Sequence, residues 1–367
     1  MSQTWIVGNL DCEVDWARLH APDKGRWPRN LPLDVLHRVS TFATLLRVYA
    51  EEGDVLWTPA PVDPGCLRTV DGLPGIELTH GPDAKVPKGA DVVAWAEAPP
   101  VPSQRKRLEA AAKVNDRAFA LRLAESFGVA LPGSQVVHTL EEFLATDVAG
   151  GAWVLKAPHG AAGRNRVLGR GRHLDEAQRG AFENLRKEHG RLILMPWVRR
   201  TLDFGMWLAP DADDTWQRGV HEIEVDERGR FRGVVISPDG PALDAPAYLH
   251  TIGDLVRDHL DSAGYRGPFG IDGWEYQSVT GTRMLMPLGE INARRTFGMV
   301  AHALAERVAP RYWGDAAPAV ALRFGSRAED EDPTDCVPLL GDPNEPVMHA
   351  WLERLPAREH VGTADED

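Results

Sequence analysis

The sequence predicts an α/β chain that opens with a parallel-sheet unit and continues through mixed strands and helices. Three observations carry this. Short β-prone runs alternate with helical periods over roughly the first hundred residues, the pattern of strands that need crossover helices. A β-prone run ending at Lys156 opens into a glycine-rich turn and returns as a partner strand. Two longer β-prone runs, 270–277 and 284–292, are joined by a short polar turn at Thr280-Gly281-Thr282.

Taken in order, 4–7 is a first strand stopped by Gly8. Residues 33–52 place Leu36, Val39, Phe42, Leu46 and Ala50 at helical spacing, and Gly53 ends that helix. Runs at 54–58, 75–79 and 91–95 are further strands, with Pro and Gly between them. A helical stretch over 104–127 breaks near Asn115, which is placed to cap its second half; Gly128 ends it and Leu131-Pro132 turns the chain. Thr139-Leu140-Glu141-Glu142 has the capping-box pattern of a short helix. Strands follow at 153–156, 166–168 and 191–198, with a helix over 174–187. Runs 204–208, 220–225 and 231–236 are strands, the last two a hairpin turning at 226–229. A helix over 248–263 is stopped by Gly264, and Thr296 caps a helix running to Val308. Beyond Pro310 the expected elements are a strand at 319–324, a short helix at 348–355 and a disordered tail at 363–367.

A length of 367 residues allows two or three domains with a substantial core. With 43% hydrophobic and 26% charged residues the composition is that of a soluble globular protein. The net charge of −13 argues against a nucleic-acid or anionic-membrane surface. The clusters Arg105-Lys106-Arg107 and Arg228, Arg230, Arg232 are expected to be solvated, the second at a hairpin tip. Cys12, Cys66 and Cys336 have neither zinc-site nor disulfide spacing, which points to reduced thiols in a cytoplasmic protein. The N-terminus has no basic region leading into an apolar core, so no signal peptide is expected. The best apolar run, 42–50, is interrupted by Arg47 and is too short to span a bilayer.

The chemistry concentrates in Glu290-Ile291-Asn292-Ala293-Arg294. In an extended strand Glu290, Asn292 and Arg294 share a face, which aligns a carboxylate, a neutral oxygen ligand and a fixed cation. Oxygen donors with few carboxylates suit Mg²⁺; Arg suits a bidentate carboxylate or phosphate. If the preceding turn centres on Gly281, antiparallel pairing sets Asp272 opposite Glu290 on the same face. The repulsion between those two carboxylates is relieved by a divalent cation, so Asp272, Glu290 and Asn292 form a candidate metal cradle. Glu275 points to the other face in this register and is the weaker candidate. The competing reading is a hydrated polar strand face. Upstream, Lys156-Ala157-Pro158-His159-Gly160-Ala161-Ala162-Gly163-Arg164 offers an ammonium and backbone N–H groups to phosphates. It is not a Walker A loop, lacking Gly-Lys-Ser/Thr. Arg117 and His159 are candidate phosphate contacts. Met195-Pro196-Trp197-Val198 supplies an apolar edge for a planar base, and Asp203 an acceptor for ribose hydroxyls. His221 and Glu222 lie on a strand that borders an acceptor pocket in this reading.

In order, Asn115-Asp116-Arg117, Leu131-Pro132, Val154-Leu155-Lys156 with its glycine loop, Leu194 to Val198, Gly270-Ile271-Asp272 and Glu290 to Arg294 resemble the ATP-grasp superfamily over about residues 1–310. The resemblance implies an N-terminal Rossmann-like domain (1–112), a central α+β ATP-grasp lobe with a glycine-rich lid (113–200), a C-terminal α+β lobe with the metal site (201–310) and an extension (311–367). It implies ATP and Mg²⁺, with Mn²⁺ as the alternative cation, held by Asp272, Glu290 and Asn292. It implies phosphate contacts from Lys156, Arg117, His159, Gly160 and Gly163, and an adenine edge at Pro196, Trp197 and Val198. The family often carries lysine at Arg117 and glutamate at Met195. Glu-x-Asn-x-Arg resembles the carboxylate–amine ligases, including L-amino-acid ligases, and some carboxylases; no Ala/Val-Met-Lys-Met biotin-carrier segment accompanies it, which ranks the carboxylase branch second. The expected activity is amide formation through an acyl phosphate, with Lys156 and Arg294 catalytic and small carboxylates and amines as partners. A homodimer is left open. The alternatives are a phosphotransferase and a non-catalytic nucleotide sensor.

Overall fold

The computed structural model describes residues 3–20, 31–102, 104–160, 165–211, 213–226, 229–243, 246–314, 319–325, 334–342 and 345–356. The first unit is a four-stranded parallel sheet of β1 (Thr4–Val7), β2 (Val55–Thr58), β3 (Glu77–His80) and β4 (Asp91–Ala94), in the order β3-β2-β1-β4. Around it lie α1 (Cys12–His20), α2 (Leu33–Ala43), α3 (Arg105–Val114) and α4 (Arg117–Ser126). The strand order reverses between β1 and β4, so the crevice at their C-terminal ends is a topological switch point.

A second sheet, ordered β5-β8-β6-β7, comprises β5 (Gln135–Val137), β6 (Ala152–Lys156), β7 (Arg166–Arg170) and β8 (Leu192–Pro196), with α5 (Leu140–Leu144) and α6 (Glu176–His189). It has its own core, in which Phe143 packs on Trp153 and Phe182. The third sheet has eight strands: β9 (Arg199–Pro210), β10 (Trp216–Val225), β11 (Phe231–Ile236), β12 (Phe269–Gln277), β13 (Arg283–Asn292), β14 (Ala319–Phe324), β15 (Cys336–Asp342) and β16 (Glu345–Leu355). Their order is β13-β12-β9-β10-β11-β14-β16-β15. The helices α7 (Pro246–Ser262), α8 (Phe297–Arg307) and α9 (Ala309–Trp313) accompany it. One continuous core joins this sheet to the first unit. Among the described residues no helix is long and apolar enough to cross a membrane. Cys12, Cys66 and Cys336 are buried thiols that form no disulfide among the described residues.

Several sequence expectations are corrected. The 33–52 helix is α-helical only to Ala43 and then tightens to a 3-10 helix over Thr44–Tyr49. α1 was not expected, although Cys12, Trp16 and Leu19 have helical spacing and Glu13 and Asp15 suit a first turn. The cap of α4 is Asp116, accepting from the Ala118 N–H at 2.8 Å, and not Asn115. The expected helix at 348–355 is strand β16. Met348, Trp351, Leu352 and Leu355 have helical spacing, but this segment pairs with β14 along its length and with β15 on the other side, and that pairing overrides local periodicity. β14 to β16 therefore continue the large sheet. The calls for Gly163, Arg164, Arg228 and the 363–367 tail lie outside the described residues.

The hairpin of β12 and β13 contains a compensating irregularity. Near the turn, Gln277↔Arg283 and Trp274↔Met286 are symmetric about Thr280, whereas Asp272↔Glu290 and Gly270↔Asn292 are symmetric about Gly281. The ladder shifts between Asp272 and Trp274, where Gly273 stands opposite 287–289. The two glycines there are required for space. A Cβ on Gly289 would lie 2.0 Å from the Trp274 ring, and one on Gly273 would lie 2.4 Å from the Phe204 ring. We predict that Gly289→Ala displaces Trp274 and costs about 1–3 kcal/mol of stability, the usual penalty for overpacking. Urea unfolding measures this, and an unchanged midpoint would contradict it.

Candidate active site

The register brings Glu290 beside Asp272 at the edge of the eight-stranded sheet. Across β9 and β10 the same row continues through Gly205 to His221. Paired residues share a face, so Glu290, Asp272 and His221 lie on one side of the sheet. The next row holds Asn292, Gly270, Trp207 and Gly219. Asn292 donates from Nδ2 to Asp272 Oδ2 at 3.1 Å, linking the rows. Glu275 is turned away and ion-paired with Arg283 at 2.6 Å.

Burial and the neighbouring Glu290 charge push Asp272 up to about 6. Burial pushes Glu290 upward too, but Arg117 and then Lys156 more than offset this and hold it below the usual carboxylate range. Two neighbouring carboxylates thus differ in proton affinity because the cations stand on the Glu290 side. Among the described residues no group of three or more His, Cys, Asp or Glu side chains is placed to hold a metal. The candidate set is instead two carboxylates and an amide oxygen, the hard-oxygen donors that Mg²⁺ accepts alongside substrate phosphates. The chemistry of that donor set fits Mg²⁺, whose charge would offset the repulsion between the paired Asp272 and Glu290.

Lys156 ends β6 and faces these acids. Burial draws its ammonium down to about 8; Glu290 opposes this, while Arg117 and Arg200 add to it. Arg117 acts as a clamp. Its Nη1 donates to the Ala157 carbonyl (2.8 Å), and its Nη2 to the Gly160 carbonyl (2.6 Å) and Glu290 Oε1 (2.7 Å). It thereby ties the first residues of the glycine loop to Glu290. His159, a candidate phosphate contact, is buried at 3% exposure. Asn115 Oδ1 accepts the Ala293 N–H at 2.9 Å and fixes the end of β13.

Pro196 ends β8, and the Trp197 N–H donates to the Ala152 carbonyl at 2.9 Å. Val198 packs against the main core. Arg166 and Arg200 lie over the Trp197 ring at 5.9 and 5.7 Å, and Arg200 also covers Trp274 at 3.9 Å. Asp203 accepts from Arg200 Nη1 at 2.6 Å, so its carboxylate already has a cationic partner. Arg200 was missed from the sequence; its only signal is the Arg199-Arg200 pair directly after the apolar edge.

Arg294 lies just past β13. Its Nη2 donates to Asn292 Oδ1 at 3.2 Å, its Nη1 to the Arg295 carbonyl at 3.1 Å, and its Nε to Glu13 Oε1 at 2.8 Å. Its guanidinium lies 5.2 Å from the Trp95 ring centre. Each Nη has a second N–H, so the pocket retains a fork of donors. Glu13 and Trp95 come from the first unit and were not expected in the site.

His221 is buried in space left by two glycines. A Cβ on Gly205 would lie 2.2 Å from its Nε2, and one on Gly298 would lie 2.1 Å from its Cε1. Burial pulls His221 down to about 3 and His302 to about 4.

No family model and no curated protein matches this sequence. The fold does have solved counterparts. N5-carboxyaminoimidazole synthetase from Staphylococcus aureus, complexed with ADP, is 9% identical with a TM-score of 0.54 over 96% of this chain and 93% of that one. Biotin carboxylase from Campylobacter jejuni, in a βγ-ATP complex, is 9% identical with a TM-score of 0.56 over 98% and 88%. The biotin carboxylase domain of Hydrogenobacter thermophilus 2-oxoglutarate carboxylase, with MgADP, ADP and bicarbonate, is 14% identical with a TM-score of 0.50 over 97% and 87%. At these identities the likeness establishes the fold: the chain has the ATP-grasp architecture, as its motif order implies.

Two pH effects follow. If Lys156 holds phosphate through its charge, affinity for MgADP should weaken as pH rises through about 8. In Lys156→Arg that weakening should be absent, because guanidinium stays protonated; calorimetric titration of both proteins checks it. His221 and His302 are neutral when folded but titrate near 6.5 when unfolded. The unfolded chain therefore binds more protons below that pH, and stability should fall progressively from pH 6.5 toward 3. The fall should be shallower in His221→Gln; identical slopes in urea unfolding would contradict this assignment.

Proposed function

We propose that this protein is an ATP-dependent carboxylate–amine ligase that forms an amide through an acyl phosphate and releases ADP and phosphate. The observation that carries this reading is the convergence of Asp272, Glu290 and Asn292 with Lys156 on one side and Arg294 on the other. A site that only binds nucleotide has no need of a buried arginine fork beyond the metal cradle. The fold's counterparts include proteins solved with ADP, MgADP and bicarbonate, which agrees with a nucleotide and an acid meeting in this architecture.

In this reading Lys156 holds the phosphate tail, and the glycine loop from His159 onward covers it. Pro196, Trp197 and Val198 border the base. Mg²⁺ held by Asp272, Glu290 and Asn292, with Mn²⁺ as a substitute, would neutralise charge on the transferred phosphoryl group. An oxygen of the substrate carboxylate attacks the γ-phosphorus, and the bond from phosphorus to the ADP oxygen breaks. The amine nitrogen then attacks the acyl carbon. A C–N bond forms, the C–O bond to phosphate breaks, and the nitrogen's proton leaves with phosphate or solvent. The free N–H groups of Arg294 donate to the oxyanion between those events. Gly163 belongs to this loop in the proposal. Arg117 holds the loop and Glu290 together, so its part is to position the phosphate site. The buried thiols fit action in the reducing cytoplasm.

The test is a screen of L-amino acids, small carboxylates and bicarbonate against amines with MgATP, scored by ADP release and product mass together. Glu290→Ala is expected to abolish Mg-dependent ADP formation. Arg294→Ala is expected to lower amide formation by ~10²–10³ with nucleotide binding retained, the usual effect of losing an oxyanion donor. Full ADP release by Glu290→Ala would sink the metal assignment. A stable phosphorylated product with no amine dependence would establish a phosphotransferase instead.

A further inference from the structure

Glu13 lies outside every motif that pointed to the site, yet its carboxylate meets the site's arginine. It occupies the first turn of α1, directly after β1. That places it at the C-terminal end of the parallel sheet, at the β1–β4 switch point where open α/β sheets present functional groups. α1 is anchored there. Asn9, fully buried, donates from Nδ2 to the Ala96 carbonyl at 3.1 Å and the Ala98 carbonyl at 2.9 Å, and its Oδ1 accepts the Ala96 N–H at 3.1 Å. Trp16 Nε1 donates to the Glu97 carbonyl at 3.2 Å.

Both carboxylate oxygens of Glu13 are engaged. Oε2 accepts from the Cys12 thiol at 3.4 Å, and Oε1 accepts from Arg294 Nε at 2.8 Å. Burial pushes the Cys12 thiol well above its usual range, so it remains a protonated donor. The Glu13–Arg294 pair is largely enclosed, with side-chain exposures of 10% and 13%. The loop after Arg294 is docked on the same crevice: the Arg295 N–H donates to the Trp95 carbonyl at 2.8 Å. Glu13 thus holds Arg294 through Nε, with Nη2 on Asn292 of the candidate metal cradle and Nη1 on the Arg295 carbonyl.

We propose that Glu13 is a positioning residue for Arg294, so that the first unit sets the orientation of the arginine that serves the acyl-transfer step. This rests on the ligase reading for the consequence, but the orientation itself is a property of the folded chain. An arginine has many rotamers, and a misplacement of about 1 Å at a reacting centre costs ~10²-fold in rate. A charge-assisted hydrogen bond to Nε in a low-dielectric crevice removes that freedom.

The experiment compares the parent protein with Glu13→Ala and Glu13→Gln. The second keeps the size and an acceptor oxygen, and so remains informative if the first fails to fold. The Arg294 Nε–H signal, assigned by its loss in Arg294→Lys, is followed by NMR on arginine-labelled protein. Hydroxylamine serves as the amine, with MgATP and each L-amino acid or small carboxylate as the acid. Expected are a shifted, faster-exchanging Nε–H signal in both variants and a KM for MgATP close to the parent's. The hydroxamate-forming kcat should fall ~10²-fold in Glu13→Ala and less in Glu13→Gln. An unchanged signal in both, or parental hydroxamate rates in Glu13→Ala, would overturn the proposal. If the parent protein forms no hydroxamate from any acid, the ligase reading fails, and the Nε–H signal alone then decides the role of Glu13.

Discussion

Everything in the site follows from two carboxylates placed side by side where water is scarce. Asp272 and Glu290 face each other across β12 and β13. Like charges at such a spacing destabilise a sheet unless cations or a proton intervene. Here the surrounding structure divides the burden. Arg117 and Lys156 stabilise Glu290 as the anion, while Asp272 gains affinity for a proton. That asymmetry is what a divalent cation would exploit on arrival, together with the amide oxygen of Asn292.

The cations also tie together three parts of the chain. Lys156 and the loop carbonyls held by Arg117 belong to the small sheet, the acids to the large sheet, and Glu13 and Trp95 to the parallel unit. Each interaction is charged on at least one side and at least partly buried, the setting in which hydrogen bonds are strongest and orphaned partners most costly. Cutting any one of them leaves a buried charge with one partner fewer. The site is therefore better described as a network spanning the fold than as a motif on one strand.

Much of this was legible in the sequence, and the reasons differ by element. The face shared by Glu290 and Asn292 follows from strand alternation, and Lys156 at a strand end follows from the glycines after it. The Asp272–Glu290 pairing was read correctly from a turn centred on Gly281, but the turn centres on Thr280 and the bulge opposite Gly273 restores the register. No local rule announces that compensation; it depends on the Trp274 and Phe204 rings filling the space above the two glycines. β16 was misread as helix because its apolar spacing suits both periods, and only its neighbours decide. Glu13 was invisible because its partner Arg294 lies 281 positions away, and Arg200 because the Trp274 ring it covers comes from a different strand. The buried state of His159 is likewise a tertiary property, and the pairing of Asp203 with Arg200, three residues away, depends on the ladder irregularity between them.

The most direct measurement is a crystal structure of the protein grown with MnADP, using the anomalous signal of manganese to locate the cation. The account predicts a peak about 2.0–2.3 Å from oxygens of Asp272, Glu290 and Asn292, with the Lys156 ammonium against the phosphates. A nucleotide-associated cation ligated elsewhere, with those three side chains still bonded to one another and to Arg117, would contradict it.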